Sequence, residues 1–489
     1  MRHRISYFFI AFLLLLLNVN SYAQRVISLD ECIEIAQKNS FAAQEAQNKF
    51  LHSTYQYKIY KKSYLPSLSL SGSLPAFNRS ISKITLPNGD EAFVAQATGA
   101  YSGKLALKQP IPFLGSDFII SSGLQRLDLY NDSISTSYLT NIINMGISHS
   151  IFGYNSFKWE RKIQPLQYNE AKQIYVEEME EIAKKTVELY FNLLESQTNL
   201  NIQLYNKLNV DTLLNIVKEK YSVGKCTEDE VLQLEVNLLN SELQILKLNN
   251  AIYNNERALS DFLRLDTNKL FTFAPNLFEI DKIDIKRAID ENYENSSMEL
   301  NNKRQILEAQ SNLAKIKSEN RVSVDLYASF GLSKNDANFK ETFKTPLNQE
   351  VITLGFTVPI FDFGISRSKI KQAELKVSNV IINVEQAKLD SKREIIDIIN
   401  QINILSENIL VVKKTKELAE KRYEISKSRY ENGKIGFLDY SNAQSDKDKS
   451  TLDFIQLLKM KWELYYKIRK LTLYDFKTNQ KIKYKENME

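Results

Sequence analysis

The side chains that most often carry acid–base or metal chemistry are few in this sequence and far apart. Beyond residue 24 there are two histidines, His52 and His149, and two cysteines, Cys32 and Cys226. A general base and its partner, or a set of metal ligands, must converge within bonding distance, and the two histidines fall in different segments. No phosphate-cradling glycine loop and no Cys/His cluster with metal spacing occurs. These absences argue against an enzyme and imply no cofactor and no metal. His149 shares the apolar parity of its segment and reads as an aromatic-girdle or interface residue. Cys32 reads as a small core residue and Cys226 sits beside a chain reversal, so a disulfide between them is not expected. What does recur is a turn: Tyr221-Ser-Val-Gly224-Lys225 and Tyr430-Glu-Asn-Gly433-Lys434. Glycine there can take the positive φ that closes a helix.

The turns belong to a larger pattern. The stretch from Ile365 to Asn432 contains neither glycine nor proline, and all 14 glycines fall in a few places. Eight lie between Gly72 and Gly153, three between Gly331 and Gly364, and the others are Gly224, Gly433 and Gly436. Two irregular, glycine-bearing segments are therefore separated by long helical arms, each reversing at a glycine. A shift of 256 places Leu68, Leu70, Gly72 and Leu74 on Val324, Leu326, Ala328 and Phe330, and Asn39-Ser40 on Asn295-Ser296. A shift of 209 places Gly146, Ile147, Ile151 and Phe152 on Gly355, Phe356, Ile360 and Phe361, and one turn on the other. The chain reads as an internal duplication, 24–275 and 276–476, whose first copy carries 47 more residues between the shared strands.

Residues 1–23 have the form of a signal peptide, with Arg2 and Arg4, an apolar run from Tyr7 to Leu17, and a small-x-small site at Ser21-Tyr22-Ala23. No other stretch approaches a transmembrane helix on this reading, so membrane insertion would require strands closed into a barrel. The formal charge of +5, with 25% charged residues of both signs, describes a solvated surface and no nucleic-acid footprint. The basic tail, 477–489, with Lys477, Lys481, Lys483 and Lys485, reads as a frayed, soluble end.

Two segments alternate with period two. Ile352, Leu354, Phe356, Val358 and Ile360 share one parity against Val351, Thr353, Gly355, Thr357 and Pro359, and Val322 to Leu332 repeats the pattern. Such hairpins, within about 322–361 and within the longer segment 65–152, fit a soluble half-buried sheet or an outer-membrane barrel with lipid on one face and water on the other. The export signal and the long helices favour the barrel. In the arm after Ile365, Ile370, Val377, Val384, Ile398, Leu405 and Val412 recur at seven-residue spacing, interrupted by Ser391. That column predicts a one-sided packing seam with the other face on water.

Together these residues resemble the TolC family of trimeric outer-membrane channel proteins. The resemblance rests on the Ser28-Leu29-Asp30-Glu31-Cys32-Ile33 helix start, the Leu65-Pro66-Ser67-Leu68-Ser69-Leu70-Ser71-Gly72 strand start, the Pro359-Ile360-Phe361-Asp362-Phe363-Gly364 strand-to-helix junction, and the two Tyr-x-x-Gly tips at 221–226 and 430–436. It implies an α+β membrane protein: a trimeric outer-membrane β-barrel continuous with a long periplasmic α-helical barrel in a Gram-negative cell. It implies a channel that serves a tripartite efflux pump or type I secretion system. The implied partners are two further copies of the chain, a periplasmic adaptor, an inner-membrane pump or ABC exporter, and outer-membrane lipid.

By position, Val223, Gly224, Lys225, Gly433 and Lys434 match the adaptor-contacting tips, with Lys225 where the family has an apolar residue. Glu230 and Asp439 match acidic positions nine residues past the tip tyrosines, the second a constriction residue, while Asn442 replaces a further acid. Both carboxylates also fit ordinary helix starts, where acids are favoured. An exported coiled-coil scaffold or adhesin explains the arms but not the duplicated hairpins. The extra residues of the first copy read as another hairpin, with runs at Leu105–Gln109 and Phe118–Leu129. It either joins the barrel, giving six strands per chain, or forms an external cap, which the polar run from Phe77 to Asp90 fits.

Overall fold

A computed structural model describes residues 25–85, 87, 89–130, 133–265, 270–272 and 282–484. The leader at 1–23, the boundary near Pro275 and Lys485 lie outside the described residues. In chain order, strand β1 (Arg25–Val26) precedes helices α1 (Leu29–Asn39) and α2 (Phe41–Lys62). Strands β2 (Ser67–Thr85), β3 (Glu91–Ile111), β4 (Ser116–Tyr130) and β5 (Ile134–Ser150) follow, then α3 (Ser156–Ser222) and α4 (Glu228–Leu263). The order recurs with two long strands instead of four: β6 (Leu270–Phe271), α5 (Ile285–Asn295), α6 (Ser297–Glu319), β7 (Ser323–Asp336), a 3-10 turn at Phe339–Phe343, β8 (Leu347–Thr357), α7 (Ile365–Glu431) and α8 (Phe437–Thr472). Strands β9 (Tyr474–Asp475) and β10 (Gln480–Lys481) close the described chain.

Corresponding helices agree in length: α1 and α5 have 11 residues each, α3 and α7 have 67, and α4 and α8 have 36. The helix breaks agree as well. Ser40 and Ser296 both leave the helical region at ψ 153 and 156, and their amides still donate to Ala36 and Asn292.

The chain divides into two compact units. One, residues 50–172 and 297–390, holds one antiparallel sheet in the order β2-β3-β4-β5-β7-β8. The extra strands of the first copy therefore lie inside the sheet, between β2 and β5. The polar run at Phe77–Asp90 is not a separate cap, since Phe77–Thr85 continues β2 and pairs with Glu91–Gly99 of β3. Those residues need a ladder partner for every backbone group, and β3 supplies it. Pairing sorts the side chains by face. One rung runs Leu68–Leu107–Ile120–Met145–Phe330, and the adjacent rung on the opposite face runs Ser69–Ala106–Ser121–Asn144–Gly331. Both edge strands expose large apolar side chains, among them Leu70, Leu74, Ile352 and Phe356. In the helices of this unit Arg304 makes a bidentate ion pair with buried Glu170, at 2.6 and 3.0 Å.

The other unit, residues 1–49, 173–296 and 391–489, is helical. Its main core packs Cys32, Ile33 and Ala36 of α1 on Tyr190 and Phe191 of α3, Leu259 and Leu263 of α4, and Trp462 and Tyr466 of α8. A second core joins Ala288 of α5 to Ile395, Ile398 and Ile402 of α7. Beside the main core, Arg469 donates to both oxygens of buried Glu180 at 2.7 and 2.9 Å.

Two sequence expectations need correction here. Helix α7 contains an 18-residue window of mean hydropathy 1.4, enough by length and composition to cross a membrane. Yet Ile395, Ile398, Ile399, Ile402, Leu405 and Ile409 of this helix are buried against protein, so the apolar stretch is a packing seam. Its far face is not all polar either: Ile404, Val411, Leu418 and Ile425 form an exposed apolar column at seven-residue spacing. The basic tail is also not frayed through Tyr484. Strands β9 and β10 pair, Ile482 donates to Leu473, and Lys481 reaches Glu294 and Glu291 at 2.8 and 3.5 Å. Asp475 anchors the turn by accepting from the Tyr465 hydroxyl at 2.7 Å and the Lys477 amide at 2.9 Å.

Candidate functional site: the two helix reversals

Each long helix ends in the same pair of backbone hydrogen bonds. Gly224 donates to Tyr221 at 2.9 Å and Lys225 to Lys220 at 2.8 Å; Gly433 donates to Tyr430 at 2.9 Å and Lys434 to Arg429 at 2.8 Å. This is the Schellman closure, which satisfies two terminal carbonyls and requires a left-handed residue between the bonds. The glycines supply it at φ +74 and +69, with open space where a Cβ would stand. Val223, Lys225 and Lys434 are exposed around them.

The returning helices begin differently. Thr227 caps α4 by accepting from the Glu230 amide at 3.4 Å, and Glu228, Asp229 and Glu230 fill its first turn. Gly436 starts α8 without a side-chain cap, and Asp439 is the acid of that turn. Glu230 and Asp439 thus hold the same position, the third residue after the cap, where free amides and the helix dipole favour a carboxylate. Asp439 and Asn442 are exposed one turn apart on a single face of α8. Glu230 is half-buried and faces the other reversal: the Tyr430 hydroxyl is pushed up to about 12, by burial first and then by the Glu230 charge.

Sequence reasoning missed what fills the space between the reversals. Tyr440 is fully buried and stacks on Tyr430 at 5.3 Å, while Tyr423 lies 5.9 Å away and receives the Asn209 amide at 3.1 Å. These rings close a cluster with Val210, Leu214, Val217 and Leu234 from the first copy. Lys447 lies over the Tyr423 ring at 4.1 Å, and Asn206 donates to Asp448 at 2.6 Å. The seven-residue spacing of Tyr423 and Tyr430 was the available signal.

The junction residues belong to the sheet unit. Pro359 follows the end of β8, where it ends the ladder, and Asp362 accepts from the Gly364 amide at 3.0 Å and the Ser366 amide at 2.7 Å, starting α7. Bonds from Ser366 and then Gly364 hold its carboxyl below the usual range. Gly364 has φ +84. His149 takes a 2.7 Å hydrogen bond with Ser116. Among the described residues, no group of three His, Cys, Asp or Glu side chains could hold a metal ion.

Solved structures share this architecture. The CmeC outer membrane channel of Campylobacter jejuni aligns at a TM-score of 0.65 with 17% identity, over 94% of this chain and 87% of that one. The outer membrane protein VceC of Vibrio cholerae aligns at 0.66 with 12% identity, over 91% and 95%. Among curated proteins no sequence match was found. The sequence profile for outer membrane efflux proteins matches residues 117–263 and 294–459, spanning strands, long helices and both reversals. Those matched segments make up more than half of the chain, which therefore belongs to the outer membrane efflux protein family, with the TolC-like fold and an outer-membrane location.

Proposed function

We propose that three copies of this chain form a closed outer-membrane exit duct, which receives substrate from a periplasmic adaptor and an inner-membrane pump or ABC exporter, in a tripartite efflux or type I secretion system. The observation that carries this reading is the open six-stranded sheet, with one apolar face and two unpaired edges, β2 and β8. Hydrocarbon tolerates no unpaired strand edge. Three copies paired edge to edge close at eighteen strands, a size that leaves an aqueous bore. Exposed apolar side chains on the helices support the same assembly. Leu232, Val236, Leu239, Leu243 and Leu246 of α4 alternate at spacings of four and three, and the outer column of α7 runs at seven. Both are coiled-coil seams without a partner in one chain.

In this reading, 24–275 and 276–476 are duplicated halves, and the tips at Val223, Gly224, Lys225, Gly433 and Lys434 meet the adaptor. Asp439, with Glu230 and Asn442, lines the periplasmic entrance, where threefold symmetry gathers carboxylates that favour cations. Pro359, Asp362 and Gly364 form the strand-to-helix junction at the periplasmic edge of the barrel. The test is light scattering of detergent-extracted protein together with planar-bilayer recording. A trimer with discrete conductance is expected; a monodisperse monomer without conductance defeats the proposal.

A further inference from the structure

On the polar face of the sheet, Lys104 stands without a counter-charge among the described residues. The ladder places it between Ser71 on β2 and Gly123 on β4, and Ser102 and Ala106 are its neighbours on the same face of β3. All four are small and neutral. Gly123 offers no side chain to cover the lysine stem, and the hollow that Lys104 lines continues to the neutral amides of Gln125 and Asn144. The next lysine on this face is different: Lys108 lies 2.7 Å from Asp117 and is neutralised. The other acids of β3 and β4 are engaged elsewhere, Glu91 by Lys83 and Asp128 by Arg126 at 2.9 Å. The rung of Lys104 continues through Asn141 to Ser333 and Leu347. On β2 the same rung lies close to Ser67, the end that follows α2, so the staggered ladder holds Lys104 within the body of the sheet.

We infer that Lys104 is a specificity-determining residue of the bore, a fixed positive station that favours anionic solutes bearing carboxylate, sulfate or phosphate groups. The inference rests on the trimeric duct proposed above, in which threefold symmetry sets three such ammonium groups on a wall of hydroxyls and amides. A bare cation on a neutral wall raises the local anion concentration within about one screening length, roughly 10 Å at 0.1 M salt. It opposes in sign the carboxylates proposed for the entrance.

The experiment is the reversal potential of purified trimer in a planar bilayer under a KCl gradient. At about 0.1 M, Lys104→Gln should raise the potassium-to-chloride permeability ratio about twofold and Lys104→Glu further, while Lys104→Arg keeps the native value. The differences should fade near 1 M, where screening shortens to about 3 Å. In a Cys226→Ser background, Lys104→Cys labelled with a cationic methanethiosulfonate should recover the native ratio, and an anionic reagent should move it away. This arm keeps one folded trimer as its own control. A conducting native trimer whose ratio is the same for Lys, Gln and Glu at 0.1 M overturns the inference. A native protein that forms no trimer and no conductance overturns the duct reading itself.

Discussion

The two helix reversals share a backbone and differ in nearly everything around it. Both close with the same two hydrogen bonds and a glycine near φ +70. At the first, Tyr221 is 47% exposed, and the returning helix is capped by Thr227 and carries three acids. At the second, Tyr430 lies in a stack with Tyr440 and Tyr423, and the returning helix starts at an uncapped glycine with one acid in its first turn. A local closure can thus be kept through duplication while its surroundings diverge, because the closure depends on a few backbone dihedrals and the surroundings depend on which helix lies opposite. To the cluster they share, the first reversal's helices bring aliphatic side chains such as Val217 and Leu234, and the second brings the ring stack.

Replacing either glycine with valine breaks the shared part and should have the largest effect. A β-branched residue at this φ strains the turn by at least about 1–2 kcal/mol. Gly224→Val and Gly433→Val should each abolish most transport while trimer and membrane insertion persist, as read by efflux assays and by heat-modifiable migration on gels. Loss of Gly433→Val protein from the outer membrane would show that the turn serves assembly instead.

The tyrosines separate the two reversals. Tyr440→Ala removes a fully buried ring and should cost about 3–5 kcal/mol in the helical unit, whereas Tyr221→Ala should stay within roughly 0.5 kcal/mol. Tyr430→Phe removes a buried hydroxyl that has no hydrogen-bond partner among the described residues, so stability should hold or rise slightly. Protease resistance of the arms during denaturant titration measures all three. Equal losses for Tyr221→Ala and Tyr440→Ala would erase the distinction.

The carboxylates test whether the difference reaches the entrance. Exposed Asp439 should matter more than half-buried Glu230. Asp439→Asn should lower cation preference and weaken block by multivalent cations, Glu230→Gln less so, and both effects should shrink as salt rises past a screening length of about 10 Å at 0.1 M. Unchanged selectivity in the double variant removes these residues from the constriction.

The caps give the smallest effect. Thr227→Ala should cost about 1 kcal/mol, and Gly436→Asp should gain a few tenths by supplying the missing acceptor. Hydrogen exchange at the first turns of α4 and α8 would resolve both changes, and an unprotected first turn in Gly436→Asp would refute the capping account.

Legibility followed the range of the interaction. The glycine-free run from Ile365 fixed a long helix, the repeated turn fixed where each arm reverses, and alternation fixed the hairpins, since each depends on residues within a few positions. The shared acidic position of Glu230 and Asp439 was visible for the same reason. The column at Val384, Ile398 and Leu405 was also visible, and it is buried. The second column at Ile404, Val411, Leu418 and Ile425 was not, because an apolar residue every seven on a mixed face acquires meaning only when the helix is placed against its neighbours.

The sequence by itself determined the duplicated order of helices and strands, the matched lengths that follow from it, and the turns at Gly224 and Gly433, all products of local dihedral preference and periodicity. Only the tertiary structure decided that Phe77–Thr85 extends β2, that Lys481 ties the tail to Glu294, that Tyr430 rests on Tyr440, and that Lys108 is neutralised while Lys104 is not. Each of those outcomes joins residues that the chain brings together only by folding. Strand register, helix packing and counter-ion placement are relations across space, and no local preference of the chain encodes them.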